Sequence, residues 1–153
     1  MSENINKPSG VKPKPSARRK ARKLALQALY QWEIAGGSLN AIETQFRTDN
    51  DLRKTDSAYF HELLHEIPAN VSDLDAQFIP LLDRAKDELG AVELSALRIG
   101  AYELVHRLEI PYRVIINEGI DLAKVFGAED SFRYINGVLD RLAKQVRKAE
   151  TNT

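Results

Sequence analysis

Residues 16–32 read SARRKARKLALQALYQW, and this stretch puts a dense basic cluster and a helical apolar stripe into one segment. Ala21, Leu24, Ala25, Ala28, Leu29 and Trp32 recur at the three- and four-residue spacing of a helix face turned toward a core. Arg18, Arg19, Lys20, Arg22 and Lys23 crowd the start of the same helix, where each cation opposes the macrodipole by up to about 1 kcal/mol. An anionic partner accounts for their being tolerated there; a solvated basic face is the competing reading of the same charges.

Working outward, Ser16 is the expected N-cap of this helix and Gly36-Gly37 its stop. A second short helix follows Ser38, with Leu39, Ile42 and Phe46 inward. From Thr55 the positions Tyr59, Phe60, Leu63, Leu64, Ile67, Val71, Leu74 and Phe78 keep one helical register across Pro68, which predicts a single kinked helix. Leu94, Leu97, Ala101, Leu104, Val105 and Leu108 are spaced for burial in the next helix, which Pro111 ends. Ile115, Ile116, Ile120 and Ala123 follow in another, closed by Gly127, and a last helix entered at Asp130 or Ser131 carries Ile135, Val138, Leu139, Leu142 and Val146. Two-residue alternation is absent beyond Val114-Ile115-Ile116. The expected fold is therefore all-α, a compact bundle of about six to seven helices without a fixed repeat.

The chain has 153 residues, 43% of them hydrophobic, which suits one compact domain. Its 22 basic and 22 acidic residues cancel, but not locally. Residues 1–23 hold eight of the Lys and Arg against Glu3 alone, leaving 14 basic and 21 acidic residues for the remainder. A basic arm beside an acidic body points to a phosphate backbone as partner. Residues 1–15 mix Pro, Gly, Ser and Lys with almost nothing to bury, and read as a flexible basic tail ahead of a single domain over 16–149, with 150–153 as a second tail. There is no cysteine, hence no disulfide framework or thiolate site, and no apolar run approaches the roughly 20 residues that span a bilayer. A soluble, cytoplasmic protein is expected.

The sharpest chemical motif is His61-Glu62-Leu63-Leu64-His65, an H-E-x-x-H pattern on a predicted helix. Two histidines four residues apart share a face and can hold zinc, with Glu62 as general base. The only other histidine is His106, and no extended zinc motif follows. Leu63 and Leu64 fit the core stripe, so a histidine pair beside the core, without metal, explains the same residues. No Gly-rich phosphate loop or nucleophile elbow is present, and Glu88, Glu93, Glu103 and Glu118 are scattered along helices. The reading is a non-enzyme with no cofactor.

The blocks ARRKARKLALQALYQWE, YFHELL, ELGAVELSALRIGAYEL and PYRVIINEGIDLAKVFGAEDSFRYINGVLDRLA, covering most of residues 17–143, resemble the transcription antitermination factor NusB family from end to end. The resemblance implies a helical protein of two packed sub-bundles, roughly 16–84 and 85–149. It implies binding to the single-stranded boxA element of ribosomal-RNA leader transcripts together with NusE, a small-subunit ribosomal protein. The complex acts on elongating RNA polymerase with other Nus factors, so that terminators are read through. An RNA-targeting module acting in trans with an RNA-modifying enzyme is the alternative, and the zinc hydrolase a third reading. Homodimerisation of the free protein is left open.

Carried onto this chain, the resemblance assigns RNA contact to Arg18, Arg19, Lys20 and Arg22, and a second part of the RNA surface to Asp130 and Tyr134, the tyrosine stacking on an unpaired base. Asp130 is also a candidate cap for the last helix. Tyr30, Asp87 and Glu93 are assigned to the partner face. Asn117 and Glu118 are expected to bond between helices, and Gly137 to permit close helix approach. Lys20 lacks the bidentate fork of an arginine, and Pro68 interrupts a segment the family keeps helical. Removing Arg18 or Arg22 is expected to weaken RNA binding.

Overall fold

The structure, a computed structural model, describes residues 14–152; the basic tail expected over 1–15 lies, through residue 13, outside the described residues. Eight α-helices are present among the described residues, and no strand: α1 (Pro15–Ala35), α2 (Leu39–Asp49), α3 (Ser57–Ala69), α4 (Val71–Phe78), α5 (Ala91–His106), α6 (Tyr112–Phe126), α7 (Ser131–Val146) and α8 (Lys148–Thr151). Short 3-10 turns at Ile79–Leu81 and Lys86–Glu88 connect α4 to α5.

The count exceeds the expected six to seven for two local reasons. Pro68 sits in the last turn of α3, and the helix ends two residues later at Asn70 (φ −116°, ψ 20°), so α3 and α4 are separate helices and not one kinked one. Asn70 secures the break: its backbone N–H bonds to Glu66 and Ile67, and its side chain donates to the Glu66 carbonyl at 2.8 Å. At the other end the chain stays helical beyond 149 as α8, where Glu150 accepts the Tyr112 backbone N–H at 2.9 Å.

The helix starts and stops otherwise follow local chemistry. Pro15 occupies the first turn of α1 behind Lys14, so the helix opens before Ser16, which caps nothing. Gly36 and Gly37 take φ of 68° and 100° and end α1, and the Ser38 hydroxyl accepts the Ala41 N–H to start α2. Leu108 lies past the end of α5 and is exposed, because the helical spacing that includes it in the core outruns the helix.

Helix α5 is the axis of the molecule. Every residue from Leu94 to Leu104 is buried, and α1, α3, α4, α6 and α7 pack around it. One hydrophobic core results, running from Ala21 on α1 to Ala143 on α7. Helices α5 and α6 approach α7 closely at Gly100 and Gly119, where an added Cβ would meet Leu139 at 2.7 and 2.8 Å. At Gly137, the position expected to serve this purpose, the nearest atom would be an arginine nitrogen at 3.4 Å.

A helix buried all round cannot place its charged residues in water, so Arg98 and Glu103 are paired. Arg98 makes a bidentate contact with Asp75 on α4 (2.9 and 2.8 Å) and reaches Glu33 on α1 at 2.7 Å. Glu103 meets α1 and α3, as described next.

Candidate nucleic-acid and partner interface

The four basic residues assigned to RNA at the start of α1 do not share one environment. Arg22 is 4% exposed and its Nε donates to Glu103 at 2.9 Å, with Glu118 at 3.7 Å. The Tyr59 hydroxyl donates to the same Glu103 oxygen, so a carboxylate that is 1% exposed has two donors from two helices. Burial pushes the Glu103 carboxyl up, and the Arg22 charge and the Tyr59 hydroxyl oppose that shift. Arg18 is half-buried: its Nε donates to Asp56 at 3.1 Å and its guanidinium lies 3.9 Å over the Tyr59 ring. Asp56 also caps α3 by accepting the Tyr59 N–H at 3.1 Å.

The outward face is carried by the other two. Arg19 is exposed and bonded to Glu118 of α6 at 3.2 Å, which places Glu118 between helices as expected. Lys20 is exposed and takes part in none of the ion pairs among the described residues. Half-buried Lys23 adds a cation one turn further on.

Helix α6 connects this face to the start of α7. Lys124, in the last turn of α6, lies 4.8 Å over the Phe132 ring, and Arg133 covers the same ring at 5.1 Å. Tyr134 carries Arg84 at 4.3 Å over its ring; burial and the nearby Asp83 charge push its hydroxyl up, so it stays neutral. Cations interleaved with aromatic rings suit a single strand, where bases stack and phosphates are neutralised. Asp130 stands at the N-cap position of α7 but caps nothing with its side chain. It is exposed and 3.4 Å from Arg133, and it is the one non-glycine among the described residues with positive φ (71°). Such a conformation costs of order 1 kcal/mol, and aspartate is one of the few non-glycine residues that adopt it readily.

Of the residues assigned to a partner, Tyr30 lies two turns beyond Lys23 on the same side of α1. Tyr30 is 42% exposed and Ile34 65%, both large for solvent-facing apolar side chains on one helix. They border an apolar groove of about 500 Å³ whose walls include Leu26, Phe46, Val92 and Phe126. Glu93 adjoins Val92 in the first turn of α5, with its carboxylate between Gly90 and Gly127. Asp87 is exposed in the 3-10 turn before α5 and is not part of the groove wall.

A sequence model of the NusB family matches residues 19–144. The chain belongs to the NusB family. The transcription antitermination protein NusB of Alcanivorax borkumensis is 59% identical over 138 residues, 90% of this chain and 92% of that protein. That of Pseudomonas fluorescens is 55% identical over 147 residues, 96% and 86% of the two. The solved structure of T. maritima NusB superposes with a TM-score of 0.74 at 29% identity, covering 89% of this chain and 97% of that one.

For a NusB family member the H-E-x-x-H motif needs a different explanation from a hydrolase, and the geometry rejects the hydrolase on its own terms. Glu62, the required base, accepts the Tyr102 hydroxyl at 2.6 Å and pairs with Arg107 at 3.3 Å. His106, the remaining histidine, lies against the Tyr102 ring. No helix is long and apolar enough to cross a membrane among the described residues. Sequence reasoning missed Lys124 and Arg133 over the Phe132 ring, Arg84 over Tyr134, and the groove beside Tyr30. The exposed Ile34, one turn from Tyr30, was the available signal for the groove, since an apolar residue off the buried stripe has no core to serve.

Proposed function

We propose that this chain is a non-enzymatic RNA-binding adaptor for transcription antitermination. It binds single-stranded boxA RNA together with NusE, in the cytoplasm, so that RNA polymerase with the other Nus factors reads through terminators. The observation that carries the reading is the outward face of α1, with Arg19, Lys20 and Lys23, continued through α6 to the cation–aromatic patch of Lys124, Phe132, Arg133 and Tyr134. The names of the relatives support the antitermination role. In this reading Asp130 accepts hydrogen bonds from base N–H groups and supplies selectivity, while the cations supply affinity. NusE docks on the groove bordered by Tyr30 and Ile34, with Glu93 and Asp87 meeting its basic side chains. The halves 16–84 and 85–149 then each contribute one part of the RNA surface.

Binding of a boxA-like RNA against a scrambled RNA of equal length, with and without NusE and across a salt series, tests this. Selective binding strengthened by NusE is expected. Lys20→Ala leaves the fold intact, weakens both RNAs alike and lowers the salt slope by about 0.7 to 1 unit for one lost phosphate contact. Tyr30→Asp abolishes the NusE enhancement and leaves RNA binding by the isolated chain unchanged. Equal binding of the two RNAs with no response to NusE would overturn the adaptor reading.

A further inference from the structure

The histidines of the H-E-x-x-H motif acquire a third neighbour that the motif itself does not contain. His61 and His65 lie four residues apart on the face of α3 that α2 packs against, and Glu43 of α2 projects between them. Glu43 Oε1 is 2.8 Å from His61 Nδ1 and 2.7 Å from His65 Nε2, and the three ligand atoms all fall within 4.8 Å of one another. We propose that Glu43, His61 and His65 form a binding site for a divalent first-row transition-metal ion, with zinc the ion that this ligand set suits.

The chemistry of the donors supports the assignment. Two imidazoles and one carboxylate are a familiar three-ligand zinc set that leaves a coordination position open to water. Tetrahedral coordination at about 2.0–2.1 Å separates ligand atoms by about 3.3 Å, so the hydrogen-bonded spacings of 2.8 and 2.7 Å open by about half an ångström on the carboxylate side. The other Glu43 oxygen is held by Arg47 at 2.8 Å, which orients the carboxylate as an outer-shell partner does at metal sites. His61 is 55% exposed, which leaves the site an entry path from solvent.

The ligands come from two helices, so the ion clamps α2 onto α3. This role is independent of RNA binding, since it uses neither the α1 face nor the groove. Zinc coordination here carries no hydrolytic step, because Glu62 points away to Tyr102 and Arg107.

The test is calorimetric titration of untagged, chelator-treated protein with Zn²⁺, alongside Co²⁺ titration followed by visible absorption. One equivalent is expected to bind, with the absorption of four-coordinate cobalt and a raised melting temperature. His61→Gln, at an exposed position that retains the fold, and Glu43→Gln each weaken binding by about tenfold or more, whereas His106→Gln changes nothing. Far-UV circular dichroism of each variant confirms that helicity is kept. No binding, or binding that survives either His61→Gln or Glu43→Gln, overturns the proposal.

Discussion

Arg22→Ala lowers the unfolding free energy by about 3–5 kcal/mol, a large share of what holds an ordinary domain folded. The residue is in the basic run, but its guanidinium is inside the molecule against Glu103, together with the Tyr59 hydroxyl. Truncation leaves a fully buried carboxyl without its nearest cation, and the expense of that desolvation exceeds the value of the pair itself. The deficit also depends on pH, in a direction set by Glu103. Its pKa is already pushed up by burial, and loss of Arg22 raises it further in the folded state. A carboxyl whose folded pKa lies above its unfolded value contributes stability that is present below the unfolded pKa and lost as pH rises through the folded one. Arg22→Ala is therefore least harmful in acid and most harmful at neutral pH. Denaturant titrations at several pH values check this; a deficit below about 1 kcal/mol, or one that is flat with pH, would show that Arg22 is not a buried partner. The triple replacement Arg22→Met, Glu103→Leu, Tyr59→Phe, which removes the three polar groups that meet at the Glu103 carboxylate, recovers most of the loss. Because an Arg22 variant loses folding stability as well, Lys20, which is exposed, is the informative substitution for testing the proposed RNA surface.

Arg147→Ala has a comparable effect for a different reason. Arg147 follows the last turn of α7 and is buried, and its guanidinium donates to the carbonyls of Glu103 (3.2 Å), Leu104 (2.8 Å), Arg107 (3.1 Å) and Ile110 (3.0 Å) while pairing with Glu150 at 2.6 Å. The carbonyls at the end of a helix have no partners within it. Here one side chain satisfies the C-terminus of α5 and the turn that leads into α6. The carbonyls of Glu103 and Arg107 keep the backbone N–H groups of Arg107 and Ile110, but those of Leu104 and Ile110 are left open at about 1–3 kcal/mol each, and with the lost pairing to Glu150 the loss on truncation is about 3–5 kcal/mol. Amide exchange should rise first between residues 104 and 112, before global unfolding. Arg147→Lys rescues little, because an ammonium has three donors at one point and cannot span four carbonyls. Full rescue by lysine would mean that charge pairing with Glu150, and not carbonyl capping, is what matters.

The zinc-site residues show where sequence pattern stops being informative. His61 and His65 are visible as a pair because helical spacing puts i and i+4 on one face. Glu43 is 18 residues from His61 and on another helix, so no local spacing announces it. The same limit applies to the groove beside Tyr30, whose walls come from α1, α2, α5 and α6.

What the sequence by itself determined was the set of local decisions: helices wherever apolar residues recur at helical spacing, a stop at Gly36-Gly37, a start at Ser38, a boundary at Pro111. Each depends on φ preferences, capping or one face of one helix, which are properties of a few adjacent residues. Only the tertiary structure decided which cations face inward. Arg22 and Arg19 belong to one basic run, yet one is buried against a carboxylate 81 residues away and the other lies in solvent on Glu118. The physical reason is that a charge can be buried only where a partner helix delivers its counter-charge, and that delivery depends on how α5 is packed among its neighbours.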